Sequence, residues 1–151
     1  MSDRIEKRIV LRAPIDRVWR AISDAPSFGE WFGVDFAGAK FAAGQRVRGN
    51  VTNTGYEHLV MNVLVEAIEP PRLLSFRWHP DATDAAADYE HESTTLVVFE
   101  LQEADGGTLL TLVESGFDAL PESRRASAFR GNDAGWDSQM KRVERYVAGT
   151  P

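Results

Sequence analysis

The sequence predicts a single α+β domain in which a curved antiparallel sheet packs against a long C-terminal helix. Near the C-terminus, apolar residues recur at steps of 7, 4, 3 and 4, a spacing that places them on one helical face: Phe129, Trp136, Met140, Val143 and Val147. Roughly a hundred preceding residues alternate mainly at period two, as strands do. A helix with one apolar face must cover another layer, and 151 residues are enough for one core.

The N-terminal part predicts one strand followed by two short helices. Residues 4–11 alternate between apolar and charged side chains, which is typical of a half-buried strand. Pro14 suits the first turn of a helix, and apolar residues at helical spacing follow it. Asp24 is a typical N-cap for a second helix over residues 25–31.

The middle of the chain predicts a series of strands, about six to seven in the whole sheet. The clearest is 59–68, whose odd positions are all apolar, so we expect that face to point inward. Prolines at 70–71 and glycines at 106–107 mark tight turns. Further strands are predicted over 46–51, 73–79, 94–102 and 108–115. The polar segment 80–91 is the longest predicted loop, and we interpret it as a mobile lid over a pocket.

The terminal helix has an unusual apolar content. It carries Trp136 and Met140, with Gly131 and Gly135 nearby, rather than the Leu and Ile of a tightly filled core. We expect the helical region to begin near residue 120, to be interrupted by a kink near Gly131, and to resume after Asn132 and Asp133, because glycine weakens a helix. Large and flexible side chains fill space irregularly, so this content favours a cavity between the helix and the sheet.

Composition excludes several classes of protein. There is no Cys, which rules out disulfides and thiolate chemistry. A net charge of −6 argues against general nucleic-acid binding. The charged N-terminus does not resemble a signal peptide, and no apolar run approaches the roughly 20 residues of a membrane span. We therefore expect a cytoplasmic monomer or homodimer. We interpret the basic residues of the terminal region as a solvated helix face: Arg124, Arg125, Arg130, Lys141, Arg142 and Arg145.

Four segments, in this order along nearly the whole chain, resemble a known superfamily. They are residues 13–19 with Trp31; 65–73 with Phe76 and Trp78; 107–112 with 114–117; and 135–136 with Met140 and Val143. They resemble the helix-grip fold of the START-like or SRPBCC superfamily, and within it the branch named for the activator of the heat shock protein 90 ATPase. The resemblance implies a single domain over residues 1–151. Its members include lipid and hydrophobic-ligand carriers, hormone receptors, polyketide cyclases and chaperone activators. The chaperone activator has an additional N-terminal domain for which this sequence has no room, so we do not expect chaperone regulation.

A small hydrophobic ligand held between sheet and terminal helix is the leading hypothesis for function. The predicted ligand-binding residues are inward-facing and mostly aromatic or apolar: Trp31, Phe36, Met61, Phe76, Trp78, Phe99, Leu112, Glu114, Trp136 and Met140. An ordinary packed core is the alternative explanation for the same pattern. The other functional alternatives are a cyclase- or hydrolase-like enzyme using the same pocket, and a protein-interaction module.

Glu114 is the polar residue of greatest interest, because alternation places it on the same strand face as Leu110 and Leu112. A carboxylate pointing inward would orient a ligand hydroxyl or act as a general base, with His58 as a second acid–base group. The other interpretation, which base rates favour, is a strand-end glutamate that reaches solvent or pairs with an arginine.

Metal and nucleophilic chemistry find no support in the motifs. The acidic segment that contains His79, His91 and Glu92 matches no metal-ligand spacing, so we interpret it as a solvated loop. Ser115 and Ser138 lack the motif of an activated nucleophile. We predict no catalytic residue, no metal ligand and no cofactor.

Overall fold

The computed structural model describes residues 3–80 and 92–148, so the predicted lid lies outside the described residues except for Pro80. The helices and strands are, in chain order, β1 Arg4–Leu11, α1 Ile15–Ser23, α2 Ala25–Phe32, β2 Val34–Asp35, β3 Arg46–Val51, β4 Val60–Glu69, β5 Leu73–Trp78, β6 Thr95–Ala104, β7 Gly107–Ser115 and α3 Glu122–Ala148. This order confirms the predicted α+β class.

The sheet has seven strands in the order β1-β7-β6-β5-β4-β3-β2, and all neighbours are antiparallel. The predicted inward face of β4 is confirmed, since Met61, Val63 and Val65 are buried. The pairing of β4 with β5 shifts between Val65 and Ala67, where an irregularity of this kind bends a strand. The concave face of the sheet therefore carries the core.

The two short helices are fixed by their ends. The Asp24 side chain caps α2 by accepting hydrogen bonds from the Ser27 backbone N–H at 3.1 Å and the Ser27 hydroxyl at 2.6 Å. Gly33, with φ of 97°, ends α2 in the left-handed region. Side chains from α3 complete this end, because Gln139 and Arg142 each donate to the Phe32 carbonyl at 3.0 Å.

The terminal helix α3 runs without interruption through 27 residues, so the predicted break near Gly131 is wrong. Its glycines also do not open an internal space. Gly131 and Gly135 are exposed, and a Cβ on Gly135 would meet no atom within 4 Å. Gly135 precedes Trp136, which turns it about 100° away from the buried face.

The apolar face of α3 covers the sheet as predicted. Trp136, Met140, Val143 and Val147 are buried, while Phe129 is partly buried and packs edge-on against Phe117, which precedes the helix. None of the helices in residues 3–80 and 92–148 is long and apolar enough to cross a membrane.

The predicted solvated basic face is wrong at three positions, Arg124, Arg125 and Arg142. Arg125 donates to the Leu120 carbonyl at 3.1 Å, and its Nε is buried. Arg124 forms an ion pair with Glu92 at 2.8 Å and donates to the Pro80 carbonyl at 2.9 Å. Arg142 donates to the Asn53 side chain at 3.0 Å as well as to α2. Arg124 and Arg142 therefore connect α3 to other parts of the fold.

Candidate functional site

Glu114 lies in the interior of the protein, fully buried. It is the inward-facing residue near the end of β7, paired with Ile5 of β1 and Val97 of β6. The favoured expectation of a solvent-reaching or arginine-paired glutamate is therefore wrong. The strand alternation that places Glu114 beside Leu110 and Leu112 is correct, since all three side chains are buried.

Within residues 3–80 and 92–148, four side chains donate hydrogen bonds to the Glu114 carboxylate. Oε1 accepts from the Trp136 indole N–H at 2.8 Å and from the Asn132 amide at 2.9 Å. Oε2 accepts from the Trp78 indole N–H at 2.8 Å, the Thr95 hydroxyl at 2.5 Å and the same Asn132 amide at 3.0 Å. These five contacts use about all the acceptor sites that a carboxylate offers.

The fold brings these donors together from three elements. Trp78 is the last residue of β5, and Thr95, the first of β6, is its partner across the sheet. Asn132 and Trp136 are four residues apart in α3, so their side chains lie one above the other on the same helical face. The carboxylate therefore ties the end of the sheet to the middle of the helix.

The four described donors to Glu114 are electrically neutral. Indole and amide N–H groups can donate but cannot accept, so they suit a carboxylate that acts as an acceptor. A carboxylate with occupied lone pairs is poorly placed to abstract a proton from a substrate. His58, proposed as its acid–base partner, is exposed in the turn before β4 and is not one of the donors that the described residues supply.

Aromatic rings surround this carboxylate. Trp136 lies 5.8 Å from Trp78, 5.8 Å from Phe99 and 5.9 Å from Phe32, measured between ring centroids. Phe76 packs edge-on against Trp78 at 5.4 Å. The structure thus brings together four of the predicted ligand-binding aromatic residues, and it adds Phe32 of α2. We call these five rings the aromatic cluster.

The remaining predicted ligand-binding residues lie farther along the core. Trp31 and Phe36 pack around Phe28, at 4.8 Å and 6.3 Å between ring centroids. Phe28 in turn contacts Phe76 at 6.4 Å and so joins this group to the aromatic cluster. Met61, Leu112 and Met140 are buried on β4, β7 and α3.

Sequence reasoning missed Thr95 and Asn132 as members of the site. Thr95 lies four positions before the inward-facing Phe99 on the same strand, so alternation places it on the same face, and a buried hydroxyl needs a polar partner. Asn132 precedes Trp136 by four residues, so helical spacing alone could have placed it beside the apolar face. Neither signal indicates which acceptor the side chain contacts.

A separate groove lies on the surface between α1 and the turn from β4 to β5. It has a volume of about 420 Å³, and its lining includes Trp19, Lys40, Phe41, Ile68 and Pro70. None of the predicted ligand-binding residues lines it.

The described part of the chain contains no group of three or more His, Asp or Glu side chains arranged to hold a metal ion. Most of the acidic segment between His79 and Glu92 falls within 81–91 and so lies outside the described residues. At its edges, Glu92 is paired with Arg124, and His79 Nε2 lies 3.2 Å from the Glu92 carbonyl oxygen.

Solved structures of other proteins share this architecture. MLL2253 of Mesorhizobium loti is 27% identical, with a TM-score of 0.74 over 98% of both chains. BH1534 of Bacillus halodurans is 26% identical, with a TM-score of 0.69 over 95% of this chain and 96% of its own. DynU16, from the dynemicin biosynthetic locus, is 24% identical with a TM-score of 0.74 and shows the fold alone. The present chain spans about half of DynU16, covering 48% of its length.

No curated protein matches the chain. The sequence profile described as "Activator of Hsp90 ATPase homolog 1-like protein" matches residues 12–148, which is most of the sequence. This match confirms the resemblance inferred from the four sequence segments, and the sheet, the two short helices and the long terminal helix agree with it. The chain therefore belongs to the Activator of Hsp90 ATPase homolog 1-like family.

Proposed function

We propose that this protein binds a small apolar molecule between the sheet and α3, beside the aromatic cluster and Glu114. The observation that carries the proposal is a fully buried carboxylate inside a group of aromatic rings. Pockets for small molecules combine an apolar lining with a few fixed polar groups, and this combination is present here.

Stability alone does not account well for such an arrangement. Burying a charge is costly, and apolar residues of similar volume often stabilise a core as well or better. Glu114 nevertheless lies fully buried near the end of β7, where four side chains of the described residues donate hydrogen bonds to it. Proteins depart from the rules of stable core packing mainly at functional sites, which supports a role for Glu114 in ligand binding.

The members of the site differ in exposure, which suggests where a ligand would enter. Trp136, Thr95 and Glu114 are buried, whereas Trp78 and Asn132 are partly exposed. A rotation of the two partly exposed side chains would open a route from the surface to the carboxylate. Binding would then derive mainly from apolar burial, worth about 25 cal/mol for each Å² removed from water.

The first test is a titration with Nile red, an uncharged apolar dye, accompanied by native mass spectrometry of freshly purified protein. We expect saturable binding that weakens several-fold in Trp136→Phe and Trp78→Phe, because each variant keeps an apolar ring but loses a hydrogen bond to Glu114. Trp19→Phe is the matched control, since Trp19 lines the separate surface groove.

Two results would contradict the proposed function. One is the absence of saturable dye binding together with no retained small molecule in the mass spectrum. The other is loss of dye binding in Trp19→Phe alone, which would place the ligand in the surface groove. Thermal unfolding of each variant shows whether the substituted protein is still folded.

A further inference from the structure

The charge on Glu114 has a consequence for the kind of ligand that the site accepts. Resting on the function proposed above, we propose that the site selects organic cations, specifically apolar or aromatic amines, over neutral and anionic molecules of the same shape. The carboxylate supplies the attraction, and the aromatic cluster supplies apolar surface together with electron-rich ring faces.

The first argument is that the donors to Glu114 leave its charge uncompensated. Trp78, Thr95, Asn132 and Trp136 supply hydrogen bonds but no positive charge. In the described residues, no Lys, Arg or His side chain donates to this carboxylate. A cationic ligand beside Glu114 would supply the positive charge that these four donors lack, in a region of low dielectric where charges interact more strongly than in water.

Two basic side chains that contact α3 near the site, Lys7 and Arg124, already form ion pairs with carboxylates. Lys7 of β1 reaches α3, where it pairs with Asp133 at 2.9 Å and Asp137 at 3.0 Å. Arg124 pairs with Glu92 at 2.8 Å. Neither pair therefore leaves an unmatched positive charge beside the site.

The aromatic cluster strengthens this preference. The rings of Trp78, Trp136 and Phe32 form a triangle with sides of 5.8 to 6.1 Å between centroids. The indole N–H edges of the two tryptophans point to Glu114, and their rings pack against each other at 5.8 Å, so a ligand would part the rings to reach a face. The face of an indole ring attracts cations, and a site that combines rings with a carboxylate suits a protonated amine.

A matched series of ligands tests the inference by calorimetric titration. Naphthylmethylamine, naphthylmethanol and naphthoate share one aromatic body and differ in charge. We expect the amine to bind about tenfold more tightly than the alcohol, and the carboxylate about tenfold more weakly. In Glu114→Gln the three affinities should converge to within about threefold of one another.

A second variant covers the case in which Glu114→Gln does not fold. Asn132→Lys introduces a cation at the partly exposed donor position and neutralises the carboxylate in place, so the amine should lose its advantage. Glu66→Gln is the control, because it removes an equal charge from the exposed ion pair with Arg77 and should leave the ligand order unchanged.

The salt dependence of binding distinguishes attraction by the buried Glu114 from attraction by the overall net charge of −6. Attraction to the whole surface is screened by molar sodium chloride, whereas a buried pair is screened much less. Persistence of the amine preference at high salt therefore supports the inference.

Equal binding of amine and alcohol, or an amine preference that survives in Asn132→Lys, overturns the selectivity while leaving the proposed function intact. The selectivity also fails if Nile red binds and none of the three ligands does. Failure of Nile red and of all three ligands overturns the proposed function itself.

Discussion

Hydrogen bonds to Glu114 come from residues that are distant in the sequence. Trp78 is 36 positions away, Thr95 is 19, and Trp136 is 22. A site of this kind forms only when β5, β6, β7 and α3 have all packed together. Removing the acceptor would leave several buried donors without a partner, and each such group is costly.

Glu114→Gln should therefore lower the free energy of unfolding by about 3 kcal/mol, because an amide group presents N–H groups to N–H donors. Glu66→Gln makes the same chemical change in a pair with Arg77 whose side chains are 44% and 40% exposed. Its cost should stay below about 1 kcal/mol. Urea denaturation of both variants measures the difference, and equal costs would show that the buried hydrogen bonds contribute little.

The glycines of α2 and α3 differ in what surrounds them. Gly29 of α2 faces the Val34 carbonyl, and an added Cβ would lie 2.1 Å from that oxygen. Gly135 of α3 faces open space. The close approach of α2 to β2 therefore requires glycine, whereas the solvent face of α3 does not.

Gly135→Ala should raise the free energy of unfolding by about 0.5 to 1 kcal/mol, because alanine favours the helix and meets no neighbour. Gly29→Ala should lower it by about 2 kcal/mol or more, since backbone must move to admit the methyl group. Thermal and urea unfolding compare the pair. A destabilising Gly135→Ala would contradict the exposed position assigned to that residue.

The ion pairs of Lys7 with Asp133 and Asp137, which join β1 to α3, should contribute to stability in a pH-dependent way. The hydrogen bond to Asp133 raises the pKa of Lys7 above its ordinary value. Because the folded pKa is the higher one, the stabilisation is complete below the unfolded pKa and is lost as the pH rises through the folded value.

Lys7→Gln should therefore cost at most about 1 kcal/mol at neutral pH, since both aspartates are largely exposed. The difference from the parent protein should shrink above about pH 11, where lysine is losing its proton in both states. Urea denaturation at the two pH values provides the check. A difference that stays constant with pH would show that the charge of Lys7 is not what joins the two elements.

At the scale of the whole molecule, the sequence predicted the sheet and its core better than the site. The inward faces of β4 and β6 followed from alternation, since Val63 and Phe99 lie where period two places them. The two-residue strand β2 is too short to produce a pattern. The continuity of α3 was not predicted either, because an exposed glycine such as Gly131 weakens a helix without interrupting it.

The sequence alone could not predict the burial of Glu114, for a physical reason. Alternation gives the side of the strand on which a residue lies, but burial of a charge depends on distant donors such as Trp78 and Asn132. The same limit applies to Arg142, whose acceptor is a backbone carbonyl 110 positions away. Every residue has a backbone carbonyl, so the residue type does not indicate which carbonyl accepts a hydrogen bond.

The central claim is that a small molecule binds beside Glu114, and the four tryptophans of the chain allow a direct test. In a ¹H–¹⁵N correlation spectrum, each indole N–H gives one signal, which Trp→Phe variants assign. Trp78 and Trp136 donate to Glu114, whereas Trp31 donates to the Ala21 carbonyl and Trp19 lines the surface groove.

Titration with naphthylmethylamine should shift the indole signals of Trp78 and Trp136 in a saturable way and leave those of Trp19 and Trp31 nearly unchanged. Shifts confined to Trp19, or no indole shift when Nile red and the amine are both in large excess, would contradict the account.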